Sequence, residues 1–378
     1  MLTLLLLPAT GRAVSIDVVG PQQVVYDYAT QNCRFDDVPD GPARAIRDAS
    51  NRVQVVLAGA DTRMVGPTLD TATTHDCTQV LPDHALPAPW DYDDAAWLSG
   101  LYTADGQTIH ALVHAEYHGQ RHAGWCPGEP FIKCRWNAAT YAVSTDGGDT
   151  YQRPAGAGAL VAVPPYRYVP GDGRYGYFAP GNIVEKDGWF YSLLLVSSQY
   201  RDQFPGTCVM RTQNVADPKS WRAWDGEGFN VRFIDPYRES AEPVGRHICQ
   251  PVSYDRIRDM NRSLTYNSFL GKYILTGSAN KFDPAQGRYV FGFYFSTSDD
   301  LINWTDRQLL MEVETLGSYM CGDQNPRVYP AILDPSSTDR NFGTADQTAY
   351  LYFTELIYQN CQLRAERDML RVPIQFSP

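Results

Sequence analysis

The chain has 378 residues, 43% hydrophobic and 20% charged, and a formal net charge of -11. That composition suits a folded protein with a large core. The charge argues against nucleic acid, whose phosphates demand Lys and Arg, and against anionic membranes. No partner of either kind is expected.

Residues 1–13, "MLTLLLLPATGRA", open on an apolar run far short of the roughly 20 residues that cross a bilayer. The run reads as the remnant of a secretory signal without its basic start, with a cleavage site near Ala13. Residues 14–378 are then expected to form a single domain, secreted to the extracellular space or periplasm, as a monomer. Eight cysteines with no CxxC pair argue against a zinc ribbon and for disulfides. Near-neighbour pairing gives Cys33–Cys77, Cys126–Cys134, Cys208–Cys249 and Cys321–Cys361, although sequence does not fix connectivity. Two N-x-S/T triplets, at Asn261 and Asn303, are glycosylation acceptors in a eukaryotic host.

Along the chain one pattern recurs: a strand, a polar turn, an aromatic or aliphatic strand, then a strand ending in Ser or Arg, Asp and an aromatic. The first unit (34–80) holds "ARAIRDASNRVQVVLAGADTR". The second (92–155) holds "WLSGLYTADGQTIHALVHAEYHG" and "TYAVSTDGGDTY". The third (175–226) holds "FAPGNIVEKDGWFYSLLLVSSQY" and "CVMRTQNVADPKSW". The fourth (260–312) holds "SLTYNSFLGKYILTGSANKF" and "GFYFSTSDDLINW", and the fifth (325–376) ends in "DMLRVPIQF". Turns such as "ADGQ" and "KDGW" supply the glycine that tight hairpins need. Helix is scarce, with one short turn expected near "YDRIRDM". Units of three or four strands cannot each bury a core alone, but stacked radially they can. The expected fold is all-β: a five-bladed β-propeller of antiparallel four-stranded blades.

"STDGGDTY" (residues 144–151) resembles the Asp box of sialidase-like propellers, in which Asp146 closes an outer turn and has no catalytic part. "STSDDLINW" and "YFAPGNIVEKDGWFY" are similar to blade motifs of the five-bladed glycosidases related to arabinanases and invertases. The resemblance implies a propeller and a glycosidase. It departs at the first blade, where "PDGPARAIRD" stands in place of an Asp-Pro opening. Arg44 there looks like the carboxylate-binding arginine of sialidases, whose full arginine and tyrosine set is not assignable here.

In a propeller the starts of the innermost strands and the ends of the second strands meet at one funnel. Those positions hold Asp40, Arg44, Asp61 and Arg63 in the first unit, and Asp94, His114, Glu116 and His118 in the second. They hold Tyr177, Asn182, Gln199 and Tyr200 in the third, Asn267, Asn280 and Lys281 in the fourth, and Arg327, Tyr329 and Glu355 in the fifth. His114, Glu116 and His118 share one strand face, since side chains alternate. Trp97, Tyr117 and Tyr177 are candidates for stacking on sugar rings.

This set suits glycoside hydrolysis, which needs one protonated and one ionised carboxyl flanking the scissile bond. Asp40 is the expected base or nucleophile, Glu116 the proton donor, Glu355 the spare acid, with Glu242 a further one on the link after the third unit. Arg44, Arg63, His114, His118, Tyr177, Asn182, Asn267 and Tyr329 are expected to bind substrate. No metal ligand set is assigned and no cofactor is expected, a structural calcium ion being compatible. No G-x-S-x-G elbow, phosphate loop or dinucleotide fingerprint is present. The expected function is a secreted glycoside hydrolase acting on an extracellular poly- or oligosaccharide. The rivals are a non-catalytic carbohydrate-binding propeller and a polysaccharide lyase acting on a uronate.

Overall fold

A computed structural model describes residues 14–198, 202–240 and 242–378. The signal-like segment 1–13, Gln199 and Tyr200 lie outside the described residues.

Five antiparallel units follow one another. The first pairs Arg44–Arg47, Val53–Leu57, Thr62–Gly66 and Thr74–Asp76 in order. The second pairs Ala95–Tyr102, Ile109–His118, Arg135–Ser144 and Leu160–Ala162. The third runs Tyr175–Phe178, Trp189–Ser197, Gly206–Thr212 and Arg222–Ala223, and the fourth Ser263–Asn267, Lys272–Asp283, Arg288–Ser298 and Gln308–Glu312. The fifth joins Arg327–Leu333, Thr348–Gln359 and Gln362–Ser377. Its outer strand comes from the other end of the chain: Ser15–Val18 and Gln23–Tyr26 pair antiparallel with Gln362–Ser377. This closure is not evident from the repeat alone.

Side-chain alternation explains why the sheets stack face to face. Leu193 packs toward the fourth unit, whereas Leu194, its neighbour, packs toward the second. Val55 faces the fifth unit and Val56 the second; Ile274 faces the fifth and Leu275 the third. One apolar cluster therefore fills each gap between successive units, including the gap between the fifth and the first. Each large apolar side chain so buried contributes roughly 1.5–3 kcal/mol.

Polar contacts close the ring. Arg44 Nε donates to Ser99 O at 2.5 Å, Asn182 exchanges two hydrogen bonds with the backbone of Leu264, and Ile332 N donates to Ser263 Oγ at 3.1 Å. Thr354 Oγ1 donates to Pro39 O at 3.1 Å, returning the fifth unit to the first. Gly176 (φ +122°) lies where a Cβ would come within 2.2 Å of Asn137 O, so only glycine lets the second and third units touch there. The all-β propeller is thus the observed fold, and we read its units as five blades.

The outer turns share one chemistry. Asp146 accepts from Thr150 N at 2.9 Å, and Asp300 accepts from the backbone of Ile302 and Asn303. Trp304, after the Asp300 turn, and Trp221, directly before Arg222–Ala223, are buried. The short helix Tyr254–Ile257 falls where the sequence indicated. All four disulfides pair as expected. No helix among the described residues is long and apolar enough to cross a membrane. One expectation is corrected: Asn261 is 1% exposed and donates to Ala179 O, so it cannot carry a glycan in the folded chain.

Candidate active site

A cavity of about 90 Å³ lies at the end of the ring where the innermost strands begin. Asp40, Trp97, His114, Glu116, Arg135, Arg174, Arg262 and Tyr329 line it, from all five units or the segments leading into them. A larger cavity of about 780 Å³ lies at the opposite end, where Ala95–Tyr102 and Ser263–Asn267 finish. Its buried-side acid Asp339 already caps the backbone of Asn341 and Gly343.

Glu116 sits near the end of Ile109–His118 and is 1% exposed. Its Oε1 accepts from His118 Nε2 at 2.5 Å and from Arg135. Oε2 is buried without a hydrogen-bond partner. Burial opposes the charge, but the His118 hydrogen bond and the positive charge of its neighbours outweigh it and hold the pKa at about 2. Glu116 is therefore a carboxylate, the opposite of the protonated state expected of it.

His114 lies on the same strand face. Its Nε2–H donates to Asn137 Oδ1 at 2.7 Å, which leaves Nδ1 as an acceptor. Burial lowers its pKa, so the ring is neutral, and Trp97 packs against it with ring centroids 5.3 Å apart.

Asp40 lines the same cavity as Glu116, from the segment before Arg44–Arg47. It pairs with Arg367, not with Arg44, and accepts from the Tyr329 hydroxyl at 2.9 Å. Tyr329 reaches it because the pairing register slips between Val328 and Ala331. A bulge of this kind re-aims a side chain, and it holds Tyr329 at φ +59°. Burial raises the pKa of this hydroxyl, so it remains protonated and donates.

Other expected residues lie elsewhere. Arg44 is buried and gives its guanidinium to the backbone carbonyls of Ser99, Ala43 and Arg262, so it braces the ring. Arg63 is spent on Gln54, Gly148, Asp149 and Asp76, tying the first unit to the outer turn of the second. Tyr177 is fully buried in the core with its hydroxyl on Gln203. Asn182 bridges to Leu264. Asn267 lies at the far end of its strand, bonded to Asp346 O and Leu270 N. Glu355 pairs with Arg327 at 3.4 Å outside the cavity lining, and Glu242 is exposed on its link. Tyr117 is buried with its hydroxyl on Pro87 O, and His118 acts through Glu116.

Four arginines were missed: Arg135, Arg174, Arg262 and Arg367. Arg174 and Arg262 immediately precede the innermost strands Tyr175–Phe178 and Ser263–Asn267, so the funnel rule applied one residue earlier would have found them. Among the described residues, the one Cys/His cluster with metal-like spacing is Cys33, His75 and Cys77, whose sulfurs are joined to each other.

No protein-family model matches the sequence, and no curated protein does. In chain path the protein is similar to solved structures. One is a family 43 glycoside hydrolase of Bacillus licheniformis (12% identity, 88% of this chain and 72% of that chain, TM-score 0.46). Another is a GH43_1 enzyme of Xanthomonas citri (14%, 89% and 88%, 0.47). A third is an α-L-arabinofuranosidase of Fusarium graminearum with an iminosugar inhibitor (10%, 92% and 96%, 0.46).

Proposed function

We propose that the chain is a secreted glycoside hydrolase whose reaction takes place in the cavity between Asp40 and Glu116. The observation that carries this reading is the convergence of two carboxyl groups, from different units, on one aromatic-walled cavity. The blade motifs, similar to those of arabinanase- and invertase-related glycosidases, support it. Four disulfides fit an exported protein.

The roles follow from the environments. Glu116, held ionised with one free oxygen, serves as nucleophile or as the base that takes a proton from water. Asp40 is the second carboxyl, with Tyr329 hydrogen-bonded to it; in its protonated form it gives its proton to the leaving glycosidic oxygen. Bond cleavage needs a proton on the glycosidic oxygen and an oxygen nucleophile on the anomeric carbon. A retaining enzyme forms the covalent ester on Glu116, whereas an inverting one delivers water directly. Trp97 offers an apolar face for the sugar ring.

The test is a glycan-library screen with product analysis on wild type, Glu116→Gln and Asp40→Asn. Hydrolysis by wild type, and its loss in both variants with folding intact, is the expected result. Full turnover in both variants would remove the assignment.

One observation favours a second reading. His114 is a neutral base beside an ionised Glu116, in a cavity rich in arginine. That arrangement also suits proton removal next to a uronate carboxylate, with elimination of the glycosidic oxygen and an unsaturated product. Ultraviolet absorbance from the new double bond separates it from hydrolysis.

A further inference from the structure

Among the described residues most arginines meet a carboxylate or a backbone carbonyl, and two that line the cavity meet neither. Arg135 pairs with Glu116 and Arg367 with Asp40, so each cavity carboxylate already has its guanidinium. Arg174 and Arg262 line the same cavity, and among the described residues neither has a carboxylate partner. Their only contacts of note are with ring faces: Arg174 lies 4.4 Å over Phe178 and Arg262 lies 5.4 Å over Tyr329. Arg174 feels the charges of Glu116, Arg135 and Arg262, and Arg262 that of Asp40, which sets both in one electrostatic cluster.

The cavity therefore holds two guanidiniums in surplus, in a chain whose net charge is -11. Several half-exposed arginines outside the cavity do have carboxylate partners, as Arg52 with Asp48 and Arg288 with Glu312. Burial of Arg262 disfavours its charge, and the carboxylate whose charge reaches it, Asp40, is already paired with Arg367. A cost of this kind is offset when a ligand brings the missing negative charge. Guanidinium is planar with a two-nitrogen edge, the geometry that grips a carboxylate or a sulfate ester by paired hydrogen bonds.

We infer that Arg174 and Arg262 bind an anionic group carried by the sugar, a carboxylate or a sulfate ester, seated beside Asp40 and Glu116. This rests on the glycosidase reading for the sugar but not for the anion site. Asp40 and Glu116 would otherwise repel such a ligand. The surplus guanidiniums reverse that repulsion and select against neutral sugars.

The test is calorimetric binding of glucuronate, galacturonate, glucose 6-sulfate and the neutral parents glucose and galactose to wild type, Arg174→Gln and Arg262→Lys. Arg174 is exposed at the rim, so its glutamine variant tests the site without disturbing the core. The expected result is binding of at least one anionic sugar, about 10- to 100-fold stronger than its neutral parent. Arg174→Gln removes most of that preference, and Arg262→Lys weakens it because lysine lacks the fork. A uronate preference identifies the carboxylate and a sulfate preference the ester. Equal binding of anionic and neutral sugars, or a preference untouched in Arg174→Gln, overturns the inference. Anion binding without hydrolysis of any glycan leaves the site standing and removes the hydrolase reading. Hydrolysis of neutral glycans at equal rates in all three proteins does the reverse.

Discussion

Glu116 and His118, two residues apart on one strand face, share a 2.5 Å hydrogen bond while the other carboxylate oxygen of Glu116 has no partner. Arg135 pairs with the same oxygen that His118 holds. Such a group is fixed in position and in charge, with one buried oxygen not committed to a hydrogen bond. Replacing it with glutamine keeps the shape and removes the charge. Steady-state kinetics on Glu116→Gln should show turnover reduced by about 100-fold or more, with far-ultraviolet circular dichroism unchanged.

The same carboxylate makes a prediction about pH. Folding lowers its pKa from the ordinary value near 4.5 to about 2, so the unfolded chain holds the proton more tightly. Its stabilising contribution is complete above pH 4.5 and is lost as pH falls toward about 2. The size is about 3 kcal/mol. Urea unfolding across this range should show wild type losing stability more steeply than Glu116→Gln, which has no carboxyl to protonate there. Parallel curves for the two proteins would show that Glu116 is not held ionised by the fold.

Arg44 yields the opposite kind of prediction. It looks like a substrate residue in sequence, but its three carbonyl contacts bind the first unit to its neighbours and across to Arg262. Arg44→Met should lower stability by roughly 3 kcal/mol, since buried carbonyls lose a charged donor. The fraction that remains folded should keep the KM of wild type. A raised KM at unchanged stability would return Arg44 to the substrate site.

How much of this was legible beforehand depends on how local the signal was. The repeat of strand, turn and strand is written in consecutive residues, so the units and the funnel could be read. Asp40, His114, Glu116 and Tyr329 follow from that rule. Arg174 and Arg262 stand one residue ahead of their strands, so a rule applied to strand residues passes over them and names Asn182 and Asn267 instead. Arg44 and Arg63 failed for another reason. Their partners are backbone carbonyls and turn residues from other units, and nothing local shows that a guanidinium is already satisfied. Arg367 meets Asp40 across 327 positions of sequence, a contact only the closed ring creates. The ionised state of Glu116 likewise depends on its contacts with His118 and Arg135, which a strand pattern does not reveal.

The loop between Cys126 and Cys134 leads directly into Arg135 and carries Phe131 against His118 and Arg135, at 5.2 and 5.0 Å. Replacing both cysteines with serine frees the loop and should cost about 2–3 kcal/mol. It should also raise KM several-fold, because Arg135 loses its seat. Thermal unfolding and kinetics on the double variant check both effects, and an unchanged KM would detach the loop from the site.

The central claim is that Asp40 and Glu116 together split a glycosidic bond with water. Cleavage in ¹⁸O-labelled water, followed by mass spectrometry of the products, reads this directly. One labelled oxygen at the new anomeric carbon for every bond cut, absent in Glu116→Gln, is the predicted result. Unlabelled products carrying a double bond would contradict it and point to elimination from His114.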